Sequence, residues 1–129
     1  MSPMMRIVAG AVILFGTLGT GAAIAYDEPA TAGGEQTLTG EVIDVMCYLS
    51  HGQEGRGKGH AECAQQCIKS GLPVAIKVGE QLYLASMADH KPANATLAGL
   101  AGQQVKVTGM VMERDGQHLI AISSVEKAQ

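Results

Sequence analysis

The alternation of apolar and polar residues predicts a chain made mainly of β-strands. Five runs rich in β-branched and other apolar residues predict strands at 37–46, 72–78, 81–86, 104–114 and 117–126. Gly79-Glu80 separates the second and third runs and suits a type II′ hairpin turn. Asp115-Gly116 separates the last two, and this dipeptide between apolar runs is a strong hairpin signal.

Two short helices are predicted between these strands. Residues 60–71, HAECAQQCIKSG, are largely helix formers, and Lys69 lies in the last turn, where a cation is favoured. A second short helix is predicted near 94–100, with Asn94 as its N-cap. The glycine-rich residues 47–59 predict a loop.

The order of these elements predicts an OB-like five-stranded barrel. Five strands with a helix between the third and fourth follow the order of that fold, and closing the sheet removes exposed strand edges. The loop and helix of residues 47–72 form a Cys/His insert after the first strand. The fold class is therefore mainly β with short helices.

Two segments carry a resemblance to known proteins. The ending GQQVKVTGMVMERDGQHLIAISSVE resembles the last hairpin of small exported bacterial OB-like domains, and residues 40–74 look like a segment of the same proteins, including its Cys/His insert. The resemblance covers most of the chain after the N-terminal segment. It implies an OB-like barrel, and it implies no activity, because fold alone does not assign a function.

The N-terminal residues predict export. Residues 1–25 have the order of a signal peptide: a positive charge at Arg6, a short apolar run and an Ala-x-Ala cleavage site ending at Ala25. The alternative is an uncleaved anchor, because residues 7–25 are about long enough to cross a membrane. Residues 26–36 are interpreted as a linker and 37–129 as the domain. We expect a periplasmic or extracellular protein that touches a membrane only through an uncleaved N-terminal segment.

Charge and aromatic content argue against binding to nucleic acids. The formal net charge is −3, no basic run is present, and the chain has no Trp and only three Tyr. Phosphate backbones require basic side chains, and single strands require aromatic stacking surfaces. We therefore expect a protein partner or a metal donor or acceptor instead.

The three cysteines and one histidine of the insert predict a metal site. His60, Cys63 and Cys67 share one face if they lie on a single helix, and Cys47 can approach them from the end of the first strand. A Cys₃His set binds zinc, and soft thiolates also select Cu(I).

Met46 and His51 are weaker candidates for the same metal site. The thioether of Met46 lies beside Cys47 in the sequence and could add a soft ligand. His51 is interpreted as a mobile, exposed residue. Asp44 is interpreted as a residue at the end of a strand or on its outer face rather than as a ligand.

Two alternatives to the metal site remain open at the level of sequence. Exported thiols tend to oxidise, so Cys47 could form a disulfide with Cys63 or Cys67, which would make the chain a stapled binding module. A thiol enzyme, with Cys63 or Cys67 near His60 as base, is the weaker alternative, since no third orienting group is identifiable.

Other cofactors are not expected. No C-x-x-C-H run for haem attachment is present. Residues 52–59, GQEGRGKG, approach a phosphate-binding loop but have Gly59 where the magnesium-binding Ser or Thr belongs.

Overall fold

The five predicted strands form a closed barrel in the computed structural model, which describes residues 31–129. The strands are β1 (Thr31–Asp44), β2 (Val74–Val78), β3 (Gln81–Met87), β4 (Gln104–Arg114) and β5 (Gln117–Lys127). They are arranged in the order β1-β2-β3-β5-β4, and β4 pairs with β1 to close the sheet. Neighbouring strands are antiparallel except for the parallel pair β3 and β5. The OB-like fold class is confirmed.

Three short helices complete the described part of the chain. They are α1 (Val45–His51), α2 (Ala61–Lys69) and α3 (Asn94–Leu97), and 3₁₀ turns occupy Gly52–Gly55, Lys58–His60 and Ala98–Leu100. The prediction of a loop over residues 47–59 was therefore wrong, because most of this segment is helical. The physical reason is a cap: the side chain of Asp44 accepts a hydrogen bond from the backbone N–H of Met46 and starts α1.

The first strand also differs from its predicted limits. It begins at Thr31 and ends at Asp44, whereas residues 37–46 were predicted. Residues 31–36 belonged to the predicted linker, but they pair with β4 across a bulge at Gly34, whose φ is +40°. The predicted signal peptide or anchor of residues 1–25, and the rest of the linker, lie outside the described residues. No helix within residues 31–129 is long and apolar enough to span a membrane.

Strand β1 pairs with two different strands along its length, and this double pairing closes the barrel. Its residues from Thr31 to Glu41 pair with β4, and those from Glu41 to Asp44 pair with β2. Gly40 lies just before the change, where a Cβ atom would collide with the backbone carbonyl of Lys77 in β2. The absence of a side chain at Gly40 therefore allows the two strands to approach each other.

The core fills the barrel and extends under the insert. Alternate residues of β4 point inward, including the buried Val105 and Val107. Ile68 of α2 and Leu97 of α3 have no exposed surface and belong to the same apolar cluster as the strand residues. The helix of the insert is thus part of the core, and the insert is held in a fixed place against the barrel.

The two predicted hairpins have the backbone angles that their turns require. Gly79 has φ +54°, which suits the first central position of a type II′ turn. Asp115 and Gly116 have φ values of +52° and +74°, as a type I′ turn requires at both central positions. The pairs Val78 with Gln81 and Arg114 with Gln117 close these two-residue turns.

We expect Gly40→Ala to destabilise the barrel, because the new methyl group would press on the backbone of β2. Overpacking of this kind costs about 1–3 kcal/mol. Urea unfolding would measure the loss. Gly99→Ala is the matched control, since a Cβ atom there meets nothing within 4 Å, and it should leave stability unchanged or slightly raised. Equal stability for both variants would show that the close approach at Gly40 is not required.

Candidate metal centre

Cys47 is placed in the first turn of α1 by the end of strand β1. Asp44 caps the helix with a 2.9 Å hydrogen bond from the N–H of Met46 to its Oδ1 atom. The backbone N–H of Val45 donates to the carbonyl of Pro73, next to the start of β2, at 3.0 Å. These bonds direct the chain out of the barrel wall and into α1 within two residues.

A cation–π contact holds α1 against the barrel. None of the residues of α1 is buried, so the helix has little apolar packing of its own. The ammonium group of Lys77, a residue only 6% exposed, lies 5.4 Å from the centre of the Tyr48 ring. Such a contact is worth about 0.5–2 kcal/mol depending on desolvation, and it limits the rotation of α1, the helix that carries Cys47.

A buried ion pair anchors the middle of the insert. Glu41 of β1 is 3% exposed, and its carboxylate accepts hydrogen bonds from the guanidinium of Arg56 and from the backbone N–H of Gly57. The carbonyl of Gly57 in turn accepts a hydrogen bond from the backbone N–H of His60 at 3.1 Å. The position of His60 is therefore set, through two hydrogen bonds, by a carboxylate in the barrel wall.

Asn94 fixes the other end of the insert. It was predicted as the N-cap of α3, but Ala93 occupies that position, and no side chain caps this helix. The Asn94 side chain instead donates to the carbonyls of Ile68 and Leu72 at 2.8 and 2.7 Å. It thereby ties α3 to the C-terminal end of α2 and the residues that follow it, near Cys67.

The structure brings Cys47, His60 and Cys63 together. One ligand atom from each lies within 4.8 Å of the other two, so the three could hold a metal ion. Cys63 is exposed, whereas Cys47 and His60 are half-buried. His60 is the last residue before α2 rather than part of that helix, yet its ring reaches the predicted cluster.

Cys67 belongs to a second group, with Asp44 and Cys47. The ligand atoms of these three also lie within 4.8 Å of one another. Cys63 and Cys67 are four residues apart on α2, about 6 Å along the helix axis. The predicted set of four donors is therefore divided into two triads that share Cys47.

Asp44 is the residue that the sequence interpretation missed. It was expected at a strand end or facing outward; it is the last residue of β1, as expected, but it is completely buried rather than outward-facing. A polar residue immediately before a helix is a signal for an N-cap, and that signal was present in the sequence. The sequence could not predict that Asp44 lies beside Cys67, because this proximity depends on how α2 packs against the end of β1.

His51, one of the two weaker candidates, belongs to neither triad. It is exposed, although it follows Cys47 by one turn of α1. Met46, the other weaker candidate, is 58% exposed.

Two buried polar atoms near the cluster have no hydrogen-bond partner. Within residues 31–129 these are Oδ2 of Asp44 and Nε2 of His60. Leaving a buried polar atom unpaired costs about 1–3 kcal/mol, so such atoms are uncommon in folded proteins. One of them belongs to each triad, which is the pattern expected where a cation binds.

The surroundings of Cys47 and Cys67 raise the pKa of both thiols. The pKa of Cys47 is raised to about 12, first because its thiol can donate to the carboxylate of Asp44, and then because of burial and the negative charges of Asp44 and Cys67. The pKa of Cys67 is also raised, chiefly by desolvation and then by Asp44. A bound metal ion reverses this effect, because its charge removes the proton from a coordinating thiol.

All three cysteines are free thiols in this structure. Cys47 and Cys67 are near neighbours, so an oxidised form would place a disulfide between α1 and α2. A raised thiol pKa disfavours a catalytic nucleophile, which needs the thiolate at neutral pH. Of the two nucleophiles that the thiol-enzyme alternative named, Cys63 and Cys67, this argument disfavours Cys67.

The chain was compared with known protein families, curated proteins and solved structures, and it matches none of them.

We expect Arg56→Ala to destabilise the protein by about 2–3 kcal/mol, because it leaves the buried carboxylate of Glu41 without its cation. Fully buried pairs lose about 3–5 kcal/mol when one partner is removed, and Arg56 is partly exposed, so a lower value applies. Lys106→Ala is the control, because it breaks the exposed pair with Glu126 and should cost at most about 1 kcal/mol. Equal losses in urea unfolding would contradict the role of the buried pair.

We expect the metal-free protein to be alkylated fastest at Cys63 and slowest at Cys47. Cys63 is exposed, whereas a pKa of about 12 leaves about one Cys47 in ten thousand as thiolate at about pH 8. Raising the pH should increase the rate at Cys47. Iodoacetamide labelling followed by mass spectrometry would measure the order. Denatured protein is the control, in which the three rates should converge; fastest labelling of Cys47 in the folded protein would refute this prediction.

Proposed function

We propose that this chain is an exported small binding domain that holds a soft transition-metal ion, zinc or Cu(I), at Cys47, His60 and Cys63. The observation that carries the proposal is that one ligand atom from each of these three residues lies within 4.8 Å of the other two, in a cluster where Nε2 of His60 is buried and without a hydrogen-bond partner. Imidazole and thiolate are the donors that both ions accept.

The number of donors favours an open site that can exchange its ion over a closed structural site. Three protein donors would leave one position of a four-coordinate ion open. Cys63 is exposed, so this position is accessible from solvent. An ion there could be passed to or received from a partner protein or a small thiol.

We expect the protein, purified without oxygen, to contain zinc or copper that a chelator removes while the thiols of Cys47 and Cys63 become reactive. Elemental analysis and thiol titration would measure both. His60→Ala should weaken binding by more than about 100-fold, beyond the range of about 10–100-fold typical of residues that only support a ligand. His51→Ala is the matched control, because His51 is exposed and lies in neither triad, and it should retain wild-type affinity.

Two results would refute the metal proposal. One free thiol per chain with no stoichiometric metal would favour the disulfide-stapled binding module instead. Equal loss of affinity in the His51 and His60 variants would show that the three-donor site is not the one that binds. Circular dichroism of each variant would establish that the barrel is still folded.

A further inference from the structure

The second triad, which contains Asp44, is not explained by a single ion at Cys47, His60 and Cys63. We propose that Asp44, Cys47 and Cys67 hold a second divalent ion, so that the protein binds a pair of zinc-type ions bridged by the Cys47 thiolate. This inference rests on the proposed function, because both positions use Cys47.

Geometry is the first support for a second position. The ligand atoms of Asp44, Cys47 and Cys67 lie within 4.8 Å of one another, as closely as those of the first triad. Cys47 is common to both triads, and a thiolate sulfur has lone pairs enough to bind two ions. If each ion lies about 2.3 Å from that sulfur, as zinc does, the two ions are at most about 4.6 Å apart.

The unpartnered oxygen of Asp44 is the second support. Oδ1 is used by the N-cap of α1, but Oδ2 is buried and has no hydrogen-bond partner. The whole residue is buried. The donors within reach of this carboxylate are the thiols of Cys47 and Cys67. A thiol is a weak donor, and a cation between the oxygen and Cys67 would satisfy the carboxylate better.

Charge balance favours two divalent ions. The five donors are three thiols, one carboxylate and one imidazole. When the thiols are deprotonated by metal, the cluster carries four negative charges. Two divalent ions neutralise them, whereas one divalent ion at the first triad deprotonates only Cys47 and Cys63 and leaves one net negative charge, with the fully buried Asp44 unneutralised. Because carboxylate is a harder ligand than thiolate, the Asp44 position favours Zn²⁺ over Cu(I).

The test is the number of ions bound per chain. We expect native mass spectrometry and Zn²⁺ titration of the oxygen-free protein to give two ions. Cys67→Ser and Asp44→Asn should each bind one ion, because they remove donors of the second position only; the asparagine retains an oxygen that can cap α1. Cys63→Ser should also bind one, because it removes a donor of the first position only.

Cadmium provides an independent measurement of the shared sulfur. The ¹¹³Cd-loaded protein should show two resonances coupled to each other through Cys47, and Cys67→Ser should show one. X-ray absorption of the zinc form should contain a metal–metal distance no longer than about 4.6 Å.

The outcomes separate this inference from the proposed function. A single ion in the wild type, still bound by Asp44→Asn with unchanged affinity, would overturn the two-ion site and leave the proposed function standing. A single ion lost in both Cys63→Ser and Cys67→Ser would indicate one ion with four donors and would likewise overturn it. No bound ion at all would refute both.

Discussion

The buried carboxylate of Glu41 is the constraint on which the position of the insert depends. A charge in the wall of a barrel has to be paired, because an unpaired buried charge is very costly. Its partners, Arg56 and the N–H of Gly57, both belong to the insert. The chain after β1 must therefore turn back onto the barrel, and this return brings His60 to Cys47. The same polar contact that stabilises the fold thus assembles the donors of the candidate metal centre.

Local sequence signals were sufficient to predict the barrel but not the path of the insert. The alternation in β4 and the Asp115-Gly116 turn act over a few residues, so they can be recognised without knowledge of the rest of the fold. The glycines of residues 52–59 suggested a loop, because glycine disfavours regular helix. The short helical turns of this segment depend instead on the hydrogen bond from Gly57 to Glu41 and on the cap that Asp44 provides to α1. Asn94 donates a hydrogen bond to the carbonyl of Ile68 in α2, 26 residues earlier in the chain. A pattern of neighbouring residues could not predict this contact either.

The candidate site shows the same division between local and tertiary information. Spacing along the chain predicted that His60 and Cys63 meet, and the structure places them in one triad with Cys47. Spacing also suggested that Cys67 would join them, but its ligand atom belongs to a separate group with Asp44 and Cys47. The partner that Cys67 has instead, Asp44, lies 23 residues earlier at the end of β1, and only the packing of α2 against the barrel brings the two together.

Both triads lie at the seam between the insert and the barrel, and this location links metal binding to folding. Asp44 and Cys47 belong to the end of β1 and the start of α1, whereas Cys63 and Cys67 belong to α2. Any ion held by these donors joins two elements that the sequence separates by two turns and a glycine-rich segment. An ion that binds only the folded arrangement stabilises it by mass action. A cation bound here would also reduce the repulsion among the thiolates and would give partners to the buried oxygen of Asp44 and the buried nitrogen of His60. The repulsion among these donors and their expected affinity for a cation therefore have the same physical origin.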